Sequence, residues 1–153
     1  MQTAKQLSVK LVNKPGRLAA MLGAMAKGKV TFRALSVMDS GTQGTVRFVP
    51  DDVEAAIRVL DQTNIRYDAS DVLLAEVPSQ PGAFRNICEK LASEHLNIDY
   101  AYCSFNSGKG AKAGVLAVVK VNDLVKAQRV LSVNGTTARR VQKLPVRRLA
   151  HVR

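Results

Sequence analysis

Tryptophan is absent from this 153-residue chain, and aromatic residues make up only 5% of it, so a core has to be built from Val, Leu, Ile and Ala. Cysteine is scarce. Cys88 and Cys103 are too few for a disulfide framework, and each occupies an otherwise apolar position, which predicts two buried free thiols. No apolar run approaches the ~20 residues that cross a bilayer. Residues 1–5 run directly into an alternating strand pattern without an apolar signal region, so the expected location is cytoplasmic. Histidine occurs only as His95, at the expected end of a helix, and His151 near the C-terminus, and neither joins a Cys/His cluster with zinc spacing. There is no Gly-x-Ser-x-Gly elbow. Lys109-Gly110-Ala111-Lys112 lacks the first glycine and the Gly-Lys-Ser/Thr end of a phosphate loop. With no catalytic constellation and no metal or cofactor motif, the expectation is a protein that is not an enzyme and carries no cofactor.

Positive charge, by contrast, is plentiful. The net charge is +11, and more than half of the excess lies in residues 136–153, which hold Arg139, Arg140, Lys143, Arg147, Arg148 and Arg153 and no acid. Such a tail is either a solvated end or a contact for an acidic partner such as nucleic acid or another protein.

The chain also repeats itself. Asn13-Lys14-Pro15-Gly16-Arg17-Leu18 is answered 66 residues later by Ser79-Gln80-Pro81-Gly82-Ala83-Phe84, and Val30-Thr31-Phe32 falls on Leu96-Asn97-Ile98 at the same offset. Arg58-Val59-Leu60 recurs as Arg129-Val130-Leu131 at an offset of 71, because the second copy is longer between Tyr102 and Val115. Each copy is then a folding unit of about seventy residues, with the first expected over 1–70, the second over 71–143 and a basic tail over 144–153. Units this small are marginal alone, which favours packing together or dimerising.

Both copies read in the same order. In the first, alternation predicts a strand at 6–12, and Pro15 suits the first position of a helix carrying Leu18, Met21, Leu22, Met25 and Ala26, with Gly28 as its stop. A strand over 30–38, a turn at 39–44 and a strand over 45–49 form a hairpin. Pro50-Asp51-Asp52 opens a helix with Val53, Ala56, Ile57 and Leu60 on its apolar stripe, and 66–70 closes the unit as a short strand. The second copy gives a strand at 72–77 and a helix over 81–94 with Phe84, Ile87, Cys88, Leu91 and Ala92 inward. A strand over 97–105 follows, with Ile98, Tyr100 and Tyr102 on one face. A Gly/Lys-rich loop at 106–112, a strand over 113–121, a helix over 122–133 with Leu124, Ala127, Val130 and Leu131 inward, and a closing strand at 137–142 complete it. The expected fold class is α+β: two ferredoxin-like βαββαβ units with antiparallel sheets, helices on one face, packed side by side.

The doubled turn is where chemistry is expected. A strand running through Pro-Gly into a helix presents free N–H groups at the helix start, which favours a carboxylate or phosphate. Gly16 and Gly82 put no Cβ in the way. Asn13 can accept from an ammonium and donate to a carboxylate, the mixture that a zwitterion needs.

On these motifs, together with Leu96-Asn97-Ile98-Asp99 at a strand entry, the chain resembles a tandem ACT-domain protein over residues 5–143. The resemblance implies an amino-acid-sensing module that binds a free amino acid at interfaces between ACT units, near the first turn and the start of the second strand. The first site would use Asn13, Lys14, Pro15, Gly16, Arg17, Leu18 and Thr31, and the second Ser79, Gln80, Pro81, Gly82, Ala83, Phe84, Asn97 and Ile98. Ser79 stands where the family usually has Asp or Asn, and Thr31 where Asn is frequent. Each copy thus keeps one asparagine, Asn13 or Asn97, which leaves open one composite site or two unequal ones. The implied partners are a free amino acid, a second copy in a homodimer, and a regulated enzyme or transcription factor on another chain. Two other readings remain. One is an interaction module for nucleic acid or protein acting through the basic C-terminal tail. The other is an RNA-recognition domain, which shares the βαββαβ order, but the third strands offer only Phe48 and lack the RNA-binding signature.

Overall fold

The computed structural model describes residues 2–104 and 114–133. The expected loop at 106–112, the closing strand at 137–142 and the tail at 144–153 lie outside the described residues. Strands β1 (Gln2–Val12), β2 (Phe32–Ser40), β3 (Gln43–Pro50), β4 (Tyr67–Pro78), β5 (Ile98–Cys103) and β6 (Gly114–Val121) form one antiparallel sheet in the order β2-β3-β1-β4-β6-β5. Helices α1 (Arg17–Lys27), α2 (Val53–Gln62), α3 (Ala83–Ser93) and α4 (Leu124–Val133) cover one face of it. Among the described residues a βαββαβ unit (β1 to β4) and a βαββα unit (β4 to α4), with β4 common to both, thus share a single sheet.

The expected strands at 66–70 and 72–77 are one strand. β4 runs unbroken through Ser70 and Asp71, because Tyr67, Leu73, Ala75 and Val77 on its helix side continue a single alternation into two adjacent cores. β1 is correspondingly longer than the expected 6–12. Its residues Gln2–Lys5 pair with Asp71–Leu74, so the start of the chain lines the first strand of the second unit.

The helix-side core has two parts. Met21 and Met25 of α1 and Ala56, Val59 and Leu60 of α2 pack on Leu7, Val9, Val46 and Phe48. Ile87 and Leu91 of α3 and Ala127 and Leu131 of α4 pack on Leu73, Ala75, Ala117 and Val119. Gly28 allows α1 and α2 to meet, since a Cβ there would overlap Val59 Cγ2. Gly28 is the C-cap of α1, but the left-handed residue that ends the helix is Lys29, with φ 57°. The N–H of Lys29 bonds to Ala26 and that of Val30 to Met25, a Schellman arrangement whose following apolar residue is buried. His95 and Leu96 repeat it after α3, His95 at φ 56° with Leu96 bonded to Leu91.

Several expected placements change. Phe84, assigned to the inward stripe of α3, is 38% exposed. Cys103 is exposed and Cys88 only partly buried, so neither is a fully buried thiol: Cys103 ends β5 on the open side of its alternation. Ile98 packs into the helix-side core whereas Tyr102 packs on the opposite face. An irregularity between Ile98 and Tyr100 shifts the register and reverses the alternation that would have kept them together.

The face without helices is concave. Arg47 of β3 stacks on Tyr100 of β5, its Cζ 4.1 Å from the ring centroid. Four strand spacings separate β3 from β5, ~19 Å in a flat sheet. The sheet therefore curls until its ends, β2 and β5, come into contact. Ala34, Val49, Val72, Leu74 and Val118 form an apolar cluster inside the curl, and the fully buried Gln6 lies on the same face.

Candidate functional site

The two turns are built alike. Lys14 N–H bonds to Val12, Arg17 N–H to Lys14 and Ala20 N–H to Gly16; in the second copy Gln80 N–H bonds to Pro78, Ala83 N–H to Gln80 and Asn86 N–H to Gly82. Every partner is displaced by the repeat offset. Pro15 and Pro81 do not open the helices as expected. They lie in the turn, and the N-caps are Gly16 (φ 86°) and Gly82 (φ 79°), both left-handed. This conformation, costly for any residue with a Cβ, is what the glycines are needed for. A Cβ at either would meet nothing within 4 Å, so the space in front of each turn is open.

Asn13 is not a helix cap: α1 has no side-chain cap bond, and among the described residues the Asn13 side chain has no hydrogen-bond partner. Its N–H is tied to Thr42 at the tip of the β2–β3 hairpin, which fixes the turn and leaves the amide facing outward, exposed. Lys14, Pro15, Gly16 and Arg17 are exposed, as are Ser79, Gln80, Pro81 and Gly82. Leu18, Ala83 and Ile98 instead pack partly buried against the cores and anchor the elements that carry the turns.

Strand direction decides which residues can share a site. Val12 and Ser40 both pair with Gln43, so the Asn13 turn lies where β2 ends. Thr31 lies where β2 begins, roughly 30 Å away along the strand. Likewise Pro78 pairs with Gly114 at the start of β6 and Ile98 with Val121 at its end. The structure therefore does not bring Thr31 to the Asn13 turn, nor Asn97 to the Ser79 turn. Continuing the registers puts Phe32, Pro50, Lys5, Asp71, Val121 and Ile98 in one row across the middle of the sheet, so Thr31 and Asn97 flank its centre and lie away from both turns.

Thr31 and Asn97 also hold local structure. Thr31 N–H donates to Asp51 Oδ1 at 3.0 Å, and Asn97 N–H donates to Asn122 Oδ1 at 3.0 Å. Hydrogen bonding from Thr31, its side chain first and its backbone second, holds the Asp51 carboxyl below its ordinary value. The Asn97 side chain is occupied, its Nδ2 donating to Asp99 Oδ1 at 2.9 Å.

A polar group on the concave face escaped the sequence reading. Gln6 Nε2 donates to the Tyr100 hydroxyl, and the Tyr102 hydroxyl donates to Gln6 Oε1 at 2.8 Å. Burial, reinforced by Tyr100, pushes the Tyr102 hydroxyl well above its usual range. The available signal was comparative: the repeat counterpart of Gln6 is Val72, a polar residue against an apolar one at the same position of the two units.

The comparison that decides the family is the match of residues 2–141 to a model described as an ACT domain pair. The chain belongs to the ACT domain pair family. No curated protein matches it. Among solved structures, protein BT0572 from Bacteroides thetaiotaomicron is 27% identical, with a TM-score of 0.79 over 87% of this chain and 89% of that one. The ligand-free regulatory subunit of aspartate kinase from Thermus thermophilus is 15% identical, with a TM-score of 0.59 over 85% and 90%. The corresponding subunit from Thermus flavus is also 15% identical, with a TM-score of 0.56 over 86% and 94%. The two subunits share the fold with this ACT domain pair, and their coverage extends over nearly the whole of each chain.

Proposed function

We propose that this ACT domain pair is a non-catalytic regulatory protein that binds a free amino acid at its helix-start turns and passes the signal to an enzyme or transcription factor on another chain. The observation that carries the reading is the doubled turn: a left-handed Gly16 or Gly82, open space in front of it, and an exposed helix start in both copies. A helix N-terminus with free N–H groups suits the carboxylate of an amino acid, and the outward-facing Asn13 amide suits its ammonium. The fold shared with regulatory subunits of aspartate kinase supports a role without chemistry of its own. The Asn13 amide makes its turn the stronger of the two, and a homodimer supplies further unit interfaces at which the turns can close over a ligand.

The test is a thermal-shift panel of the twenty amino acids. A ligand at about 100 times its Kd adds about 2.7 kcal/mol of stability, so one or a few amino acids should raise the melting temperature. Gly16→Asp, which places a carboxylate in the proposed anion position, should remove the response. A flat panel at millimolar concentrations defeats the reading.

A further inference from the structure

We propose that the polar end of the concave face is a second binding site, separate from the helix-start turns, for a small oxyanion carrying two or more phosphate or carboxylate groups. The proposal rests on an inequality between the two ends of the curl. At one end the interior is closed by Ala34, Val49, Val72, Leu74 and Val118. The repeat counterparts of these five, at offsets of 66 and 71, are Tyr100, Lys120, Gln6, Ser8 and Arg47. Every position that is apolar at one end is polar or cationic at the other. The same backbone accepts both sets, so folding does not require the polar one.

Four of the polar five, Tyr100, Lys120, Ser8 and Arg47, line a cavity of about 1310 Å³ that opens to solvent, whereas the cavity at the other end, where Leu74 and Leu116 stand beside Gln2, Arg33 and Glu76, has about 460 Å³. Clefts that hold small ligands are roughly 300–1,000 Å³, so the larger cavity admits a metabolite together with water. Its walls carry Lys10, Arg47, Arg66 and Lys120 against Asp61 and Asp68. None of the four cations forms a salt bridge among the described residues. An excess of two positive charges in a recess calls for a ligand with at least two negative ones, since like charges gathered in a concavity raise the local concentration of counter-ions. Arg47 is held in place by its stacking on Tyr100, which is in turn fixed by Gln6. Arg47 Nη1 donates to Met38 Sδ at 3.3 Å, and the remaining N–H groups along the stacked guanidinium's edge can give the hydrogen bonds that phosphate and carboxylate accept. The hydroxyls of Ser8 and Ser70 supply neutral donors on the same wall.

Isothermal titration at fixed ionic strength, with pyrophosphate and with citrate as probes, tests the site. Saturable binding of either is expected, and which one binds assigns the phosphate or the carboxylate class. Arg47→Val with Lys120→Val installs the residues that the fold already carries at Val118 and Val49, and it should weaken binding at least about tenfold, the scale of lost charge-assisted hydrogen bonds. Arg47→Gln and Lys120→Gln repeat the test with less change of shape. Arg129→Gln, on the outer helix α4, removes one positive charge away from the cavity and should have no effect. The amino-acid response is separable: it should survive Lys120→Gln and be lost in Gly16→Asp. Absence of saturation with both probes at millimolar concentration overturns the proposal. So does binding that the concave-face variants leave intact or that Arg129→Gln weakens equally.

Discussion

Lys5 and Asp71 face each other across the β1–β4 ladder, with Nζ and Oδ1 2.8 Å apart, and they are also the same position of the repeat. Neighbouring pairs obey the same relation: Leu7 lies opposite Ala69, while their counterparts, Leu73 and Thr3, lie opposite each other. A local two-fold axis thus passes through a pair of opposite charges, the one place where two copies of a single residue would have to meet themselves. An identical charge in both copies would repel itself there, and divergence has instead made it an ion pair.

The first prediction concerns that pair. Lys5→Asp sets two carboxylates opposite each other and should lower stability by up to about 1 kcal/mol in urea denaturation. Adding Asp71→Lys should recover the loss. Because both groups are about half exposed, the effect should fade in molar salt; a cost that persists there has another cause.

Gln6 is the second test. Gln6→Val, which installs the residue at its repeat counterpart, leaves two tyrosine hydroxyls without their partner and should cost about 1–3 kcal/mol. Tyr100→Phe and Tyr102→Phe should cost less in that background than in the wild type, because all three side chains belong to one network. Strict additivity in a double-mutant cycle would dissolve the network.

Acid should affect the two units unequally. The Asp51 carboxyl titrates below its ordinary 3.8 through its bonds from Thr31. Its contribution is complete above the unfolded value and is lost as pH falls through the lower folded one. Asn122 makes the equivalent bond to Asn97 and does not titrate. Asp51→Asn should therefore flatten the fall in stability below about pH 4, read by hydrogen exchange at Thr31 against Asn97. Equal acid sensitivity at both amides would show that Asp51 is not the cause.

The repeat made the element order legible, because Pro-Gly turns and apolar periodicity are local signals. β4 was not legible as one strand: Arg66–Ser70 and Val72–Val77 read as separate because the chain changes unit there, but the ladder to β1 does not stop. The capping role of Gly16 was hidden behind Pro15, which by propensity alone suits a helix start. The curl of the sheet was invisible for a different reason. It depends on contacts such as Arg47 with Tyr100 and Gln6 with Tyr102, between residues far apart in sequence, and a bulge between Ile98 and Tyr100 reverses the alternation on which any local reading relies. Of the site, the turns could be named from sequence, but their pairing could not. That Thr31 and Asn97 flank the middle of the sheet, away from both turns, follows only from the strand registers.

The reciprocal pairing of β1 and β4 also sets an order of events during synthesis. Residues Gln2–Lys5 are synthesised well before their ladder partners Asp71–Leu74. At 5–20 residues per second, that is a wait of roughly 4–14 s. For that interval Gln2–Lys5 form an unpaired strand edge, open to nascent neighbours on the same message.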